Sequence, residues 1–337
     1  MSYQTQTIEE VDSPATRERI LELFRANRIP DPEERYAWLY RSKSYGDKLY
    51  TRVLLHQDRI VGISTLMHVD HAGLSLGCLV NLIVDEEHRT LGPALILEKQ
   101  LLSLGCELLQ PDLLITNPNR KADILPRRLG FQRIGQFTRY SWIANPAAYA
   151  RLPEGLQKLT GQLARALLIP WLQVHAISAS MKGGGCPLSD WQFFDRIADV
   201  ASALPPYQHW RHVERPSSHD RIAFMGPPAA GNPYVIFGLG QNGVCFLSEL
   251  HNMTEDCMES ALATFMAQAL KRYRLRNFAL SLSNSPRLQG ALSNLGFLTR
   301  IDGSELNLYL SSCNSEDKPS IRQRLGETPL FPSIIDF

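Results

Sequence analysis

A strand-like run, an asparagine, a short helical stretch and the tripeptide Leu-Gly-Phe succeed one another twice in this chain. The first instance runs from LLIT at 113–116 through Asn119 to Leu129-Gly130-Phe131. The second, roughly 165 residues later, runs from FALSL at 278–282 through Asn284 to Leu295-Gly296-Phe297. Each follows a long helical pattern, at Leu91–Leu104 and Thr254–Tyr273. Stacked solenoids repeat every ~20–50 residues, so this period instead marks a duplicated domain. A chain of 337 residues has room for two domains of ~100–200 residues each. The expected division is 1–144, a helical linker 145–186, a second domain 187–312 and a tail 313–337.

Periodicity fills in each half. Thr5–Val11 reads as a strand. Pro14–Asn27 is an amphipathic helix capped by Asp12 or Ser13, and Pro32–Lys43 a second one capped by Asp31. Tyr50–His56, Ile60–Val69 and Leu74–Val84 form an antiparallel meander. A helix over 91–104, a strand over 113–116, a helix over 120–129 and strands over 131–134 and 137–143 complete the unit. The second half is predicted as a helix over 190–204, strands over 221–225, 234–239 and 244–250, and a helix over 254–273 capped by Thr254. A strand over 278–282, a helix over 286–295 and a last strand over 306–310 follow. The class is mixed α/β (α+β). Between the halves, Pro146, Pro153, Pro170 and Gly183-Gly184-Gly185 break the chain. Leu156, Leu159, Leu163, Leu167 and Trp171 recur there at helical spacing. They predict an inter-domain packing helix. Lys158 and Arg165 beside them leave membrane-surface contact through 156–181 as the alternative.

With 35 Lys+Arg against 34 Asp+Glu the net charge is +1, which argues against a nucleic-acid partner. Six scattered cysteines form no CxxC pair, so free thiols in a reducing, cytoplasmic setting are expected. The N-terminus lacks the basic and apolar regions of a secretion signal. The longest uncharged stretch, 166–181, contains Pro170 and His175 and falls short of the ~20 apolar residues a span requires. No metal site is expected. His209 and His212 have no carboxylate or Cys at ligand spacing and read as surface or core histidines.

The segment Asn81–Ala94 (NLIVDEEHRTLGPA) carries the most chemistry. A strand ends at Val84 and a helix starts near Leu91, with Arg89, Gly92 and Ala94 between or at the junction. Free N–H groups and the helix dipole make such a start an anion site, and glycine lets a ligand approach the backbone. Pro93 is tolerated because first-turn N–H groups have no intrahelical acceptor.

Here the sequence resembles the GNAT superfamily of acyl-CoA-dependent N-acyltransferases. The family loop [Q/R]-x-x-G-x-[G/A] is matched by Arg89-Thr90-Leu91-Gly92-Pro93-Ala94, and its motif N-x-x-A-x-x-L-Y-x-x-x-G-F by Asn119 through Phe131 except at one position. The resemblance covers about residues 3–143. It implies two GNAT-like domains, each a mixed, mostly antiparallel twisted sheet flanked by helices. It also implies a co-substrate, acetyl-CoA or another acyl-CoA. The backbone of Arg89–Ala94 would cradle the pyrophosphate, strand Leu82, Ile83 and Val84 would pair with the pantetheine amides, and Asn119 would bind the pantetheine or acyl arm. Arg120, Lys121, Arg127 and Arg128 could attract the adenosine phosphates.

One departure concerns the acid. Where many members have a tyrosine that protonates the leaving thiolate, this chain has Pro126. Tyr140 is a candidate substitute. Direct transfer also needs an acceptor for the amine proton; the candidates are Cys78 and Asn81 with a water-mediated route, Glu86, His88 and His68. In the second half the loop position reads Glu249-Leu250-His251-Asn252-Met253-Thr254, without glycine, and Leu292 stands at the tyrosine position. That half is expected to be a degenerate copy. A literal GxGxxG at Gly238–Gly243 precedes another strand rather than a helix and reads as a hairpin turn.

The expected function is N-acyl transfer, of acetyl in the first instance, from acyl-CoA to the primary amine of a small molecule or peptide. Two alternatives remain: a non-catalytic acyl-CoA-binding sensor or scaffold, and a transferase using an acyl carrier protein or aminoacyl-tRNA. The acceptor, chain length and oligomeric state are not specified by the sequence.

Overall fold

The structure is a computed structural model. It describes residues 2–312 except 11–12, 43, 72–73, 120–121, 149–153, 184–189, 217, 230, 283–284 and 301–306. The first half contains β1 (Tyr3–Thr7), α1 (Pro14–Ala26), α2 (Pro32–Arg41), β2 (Leu49–His56), β3 (Arg59–His71), β4 (Leu74–Val84), α3 (Leu91–Leu109), β5 (Leu113–Thr116), α4 (Ile124–Arg128), β6 (Gln132–Gln136) and β7 (Thr138–Ile143). A 29-residue helix, α5 (Glu154–Lys182), links it to the second half. There follow β8 (Trp191–Phe194), a 3-10 segment Ile197–Ala203, and the helical turn α6 (Pro206–Gln208), continued as a π-helix His209–Val213. The second half continues with β9 (Arg221–Met225), β10 (Tyr234–Leu239), β11 (Val244–His251), α7 (Glu255–Arg272), β12 (Asn277–Leu282), α8 (Pro286–Asn294), β13 (Leu298–Arg300) and β14 (Asn307–Ser312).

These strands build two seven-stranded sheets, ordered β1-β2-β3-β4-β5-β14-β6 and β13-β7-β12-β11-β10-β9-β8. In each sheet one central pair is parallel, β4 with β5 and β11 with β12. The sheets do not follow the chain division at 144. Strand β7 leaves the first half and pairs with β12 and β13. Strand β14 crosses the other way and sits between β5 and β6. Each half thus completes its partner's sheet.

Local sequence explains most elements. Ser13 caps α1 by accepting from the Thr16 N–H, with Pro14 in the first turn. Asp31 is the N-cap of α2, but it adopts a left-handed conformation and makes no side-chain cap bond. The stretch 190–204 is not the helix its composition suggests. Trp191 and Phe193 pack on one core and Phe194 on another, a two-residue alternation that belongs to a strand. Beyond it Ile197 and Val200 return to one cluster at a spacing of three, which suits a 3-10 turn. The hairpin at 238–243 is present: Gly240 N–H donates to Val244, and Gly243 takes φ of 72°.

The core against α1 and α2 includes Ile20, Phe24, Tyr36, Trp38, Ile63, Met67, Cys78 and Ile115, together with Tyr207 and Trp210 from the second half. Trp38 stacks on Trp210 with centroids 4.6 Å apart, and its indole N–H donates to the Trp210 carbonyl. Tyr45 also stacks on Trp210, with centroids 4.8 Å apart. This aromatic cluster fixes the two halves to each other. On the opposite face of the first sheet, α3 packs on β2 and β3, with Leu66, Leu79, Leu101 and Leu114 buried together.

Helix α5 packs through Leu172 and Ala176 and touches α7 along its length. Leu156, Leu159, Leu163, Leu167, Trp171, Val174, Ile177 and Met181 are exposed on it. Among the described residues no helix is long and apolar enough to cross a membrane. Cys78, Cys106 and Cys245 are free thiols, whereas Cys257 is disulfide-bonded, contrary to the expectation for it.

Candidate functional site

The site begins at an irregularity in β4. The β3 partners shift register between Ile63 and Thr65, so two residues of β4 face one of β3. Asn81 sits in this bulge with φ of 62°, a left-handed conformation that asparagine tolerates better than most residues. The bend separates β4 from β5. Their parallel pairing runs from Leu76↔Leu113 to Leu79↔Thr116; beyond that the strands diverge while β4 stays paired with β3 as far as Val84.

The divergence opens a cleft of about 310 Å³. One wall is Leu79, Val80, Asn81, Leu82 and Ile83 of β4; another is Thr116, Asn117, Pro118 and Asn119 after β5. Leu125, Pro126 and Leu129 come from α4 and its end, Glu98 from α3, and Ile29 from the loop after α1. The residues after Ile29, Pro30 and Asp31, line a second groove of about 320 Å³ shared with Arg215, His219 and Asp220 of the second half.

The helix that gives the cleft Glu98, α3, starts seven residues earlier, at Leu91. Thr90 is its N-cap and makes no side-chain cap bond, so the first N–H groups are not closed off by the cap. A Cβ built on Gly92 meets nothing within 4 Å; the space above it is open. Arg89 is held back from this opening. Its Nε donates to the Val84 carbonyl and its Nη2 to Asn27 Oδ1 at 2.6 Å, which ties the loop to β4 and to the end of α1.

Glu98 is the residue that sequence reasoning missed. It is 2% exposed. Ser64 Oγ donates to its Oε1 at 2.6 Å, and its Oε2 is buried with no hydrogen-bond partner. Burial pushes its carboxyl up to about 7, a rise the Ser64 bond opposes. The signal lay in the helix itself: Glu98 occupies the buried stripe with Leu97, Leu101 and Gly105, where a carboxylate is costly. Asn117 was missed as well; its Oδ1 is also buried without a partner.

The predicted residues divide clearly. Asn81, Leu82, Ile83 and Asn119 line the cleft, and Val84, Arg89, Thr90, Leu91, Gly92, Pro93 and Ala94 form the turn into α3. Asn81 donates from Nδ2 to the Tyr40 hydroxyl. Asn119 Oδ1 accepts from the Ala122 N–H and so shapes the turn into α4. Arg127 is engaged at the back of α4: its Nε donates to the Tyr309 hydroxyl, and its Nη2 pairs with Asp123 at 2.6 Å. Arg120 and Lys121 lie outside the described residues.

Two catalytic candidates are not brought to the cleft. Cys78 is fully buried in the core against α1 and α2, and burial pushes its thiol far up, so it is neither accessible nor basic. Tyr140 rides on β7 into the second sheet and is buried in the second core. The strand exchange carries it away. His68 bonds Ser75 and Lys48 toward the other end of β3, and His88 is paired with the Tyr3 hydroxyl.

The second half repeats the bulge, where β10 shifts register between Ile236 and Phe237 opposite β11. Glu249 follows it, 1% exposed. His212 lies between Asp220 Oδ2 at 2.7 Å and Glu249 Oε1 at 3.0 Å, and His251 reaches the other Glu249 oxygen at 2.6 Å. The two carboxylates hold the His212 imidazolium up against its burial, and the two imidazoles hold Glu249 well below the usual range.

No family model matches the chain, and no curated protein matches it. Solved structures do. A conserved protein of Enterococcus faecalis V583, described as a probable N-acyltransferase, matches with TM-score 0.58 at 11% identity, over 93% of this chain and 73% of that one. A GCN5-related N-acetyltransferase from Anabaena variabilis ATCC 29413 matches with TM-score 0.57 at 13% identity, over 93% and 73%. One from Kribbella flavida matches with TM-score 0.56 at 11% identity, over 92% and 71%. At these identities the likeness concerns the fold. With its two bulged, splayed sheets, the chain has the fold of the GNAT N-acyltransferases, carried twice.

Proposed function

We propose that the first half binds an acyl-CoA in the β4–β5 cleft and that the protein transfers the acyl group directly to a primary amine. One observation carries this reading: an uncapped helix start with open space above Gly92, beside a cleft that holds two buried, unpartnered acceptors. Backbone N–H groups at Leu91, Gly92 and Ala94 receive the pyrophosphate, with the α3 dipole behind them; Pro93 contributes no N–H. The edge of Leu82–Val84 turned away from β3 offers backbone groups to an amide-bearing arm. Bound there, the donor supplies an activated thioester. The apolar walls Leu79, Leu125 and Leu129 exclude water from that arm. The acceptor amine enters from the groove between the halves, which the loop Ile29–Asp31 joins to the cleft.

The test is calorimetric titration with acetyl-CoA, followed by assay of thiol release with a panel of amines. Binding that Gly92→Glu abolishes supports the donor site. No binding to the wild type refutes it and favours a carrier-protein or aminoacyl-tRNA donor. Pro126 favours one second reading, a non-catalytic acyl-CoA sensor; binding without thiol release from any amine would support it.

A further inference from the structure

Among the described residues that line the cleft, Glu98 is the one that titrates. Among the described residues, its surroundings offer no counter-charge. From β3 it receives only the Ser64 hydroxyl. On β2, Arg52 lies on the α3 side with Tyr50, but its guanidinium donates to Tyr50 and Thr5 and makes no hydrogen bond to Glu98. From β1, Tyr3 is engaged with His88. On α3 itself Lys99 is exposed. On α4, Arg127 pairs with Asp123. On β4 the cleft-lining neighbours Leu79, Leu82 and Ile83 are apolar. A carboxylate so placed is costly, and filling the cleft would strip what solvation it retains. A polyanion at the start of α3 adds to this. Leu91 and Glu98 are seven residues apart on one helix, about 10 Å along its axis.

Asn117 Oδ1 can only accept a hydrogen bond. A neutral Glu98 can donate one from Oε2. Together they offer the two complements of secondary amide groups, an acceptor for N–H and a donor for C=O. Resting on the donor reading above, we infer that Glu98 meets the donor arm as a neutral carboxylic acid beside Asn117, so that donor binding takes up a proton.

The experiment is titration of the full chain with acetyl-CoA between pH 7.5 and 9. There the donor's phosphates, with second pKa values near ~6, are already ionised. Pairs of buffers with different ionisation enthalpies count the protons. With the free carboxyl at about 7, the wild type takes up nearly one proton, and Kd rises about tenfold per pH unit across this range. Glu98→Gln takes up none and binds with flat affinity. Ser64→Ala removes the bond that opposes the rise in Glu98 and moves the onset of weakening to higher pH. Ser64→Ala also serves if Glu98→Gln fails to fold. Acetyl-CoA binding without proton uptake, or uptake that persists in Glu98→Gln, overturns this inference alone. Absence of binding at every pH overturns the donor reading and this inference with it.

Discussion

Replacing His212 with alanine should cost more than any nearby surface substitution, and the cost should depend on pH. His212 bridges Asp220 and Glu249 and is 2% exposed, while Glu249 is 1% exposed. Alanine leaves the Glu249 carboxylate in the core with His251 as its remaining imidazole partner. Removing one member of a buried ion pair costs ~3–5 kcal/mol, because the other charge stays desolvated. With a urea m-value of roughly 3 kcal/mol/M, the unfolding midpoint falls by about 1–1.7 M. Asp220 and Glu249 are held below the usual carboxylate range. Their stabilisation is complete above ~pH 4 and fades as pH falls through the lowered values. His212 is held above its usual value, so its stabilisation is complete below ~pH 6.5 and fades as pH rises through the raised value. The gap between wild type and variant is therefore widest at about pH 5–6.5 and narrows on the alkaline side. The assay is urea unfolding followed by circular dichroism at pH 5.5 and 9, with His219→Ala, an exposed position, as control. A loss under ~1 kcal/mol at pH 5.5, within the range of a single ordinary hydrogen bond, or a gap that widens toward pH 9, would refute the reasoning.

Gly105→Val should destabilise by ~1–3 kcal/mol in the same assay, since even a Cβ there would lie 2.7 Å from Leu66 Cδ2 and 3.0 Å from Tyr50. Leu172→Ala should cost ~2–5 kcal/mol, because Leu172 is fully buried. Leu167→Ser, exposed on the same helix, should stay within ~0.5 kcal/mol. Tyr309→Phe removes the hydroxyl that receives Arg127 and donates to Asp123 at 2.8 Å. It should loosen α4 and weaken acetyl-CoA binding measured calorimetrically, with the fold retained by circular dichroism.

Much of the first half could be read from residue patterns because its signals are local. The turn Gln57-Asp58 between β2 and β3, the Ser13-Pro14 cap and the run Arg89–Ala94 each act within a few residues of themselves. The hidden features are those that depend on distant partners. Nothing in the composition of 138–143 or 307–312 says that these strands trade sheets; the trade shows only in the pairs Leu280↔Tyr140 and Tyr309↔Thr116. It removed Tyr140 from the cleft. Strand β8 reads as helix because it is only four residues long, so the alternation of Trp191, exposed Gln192 and Phe193 is too brief to outweigh the helical pattern around it. Glu98 and Asn117 were overlooked for another reason: an orphaned buried acceptor is a property of packing, visible only once the walls around it are placed.

The exchange of β7 and β14 bears on heredity as much as on architecture. A half with no glycine at 249–254, where the first half has its loop, would ordinarily be free to decay or be deleted. Here it cannot be, since it lends the strand between β5 and β6 and, through Tyr309, the tether on the helix that walls the first half's cleft. Mutational tolerance around 307–312 is therefore governed by a site on the other half of the polypeptide. Severing the chain within α5 would yield not one competent domain and one remnant, but two fragments each missing an interior strand, which regain complete sheets only by finding each other.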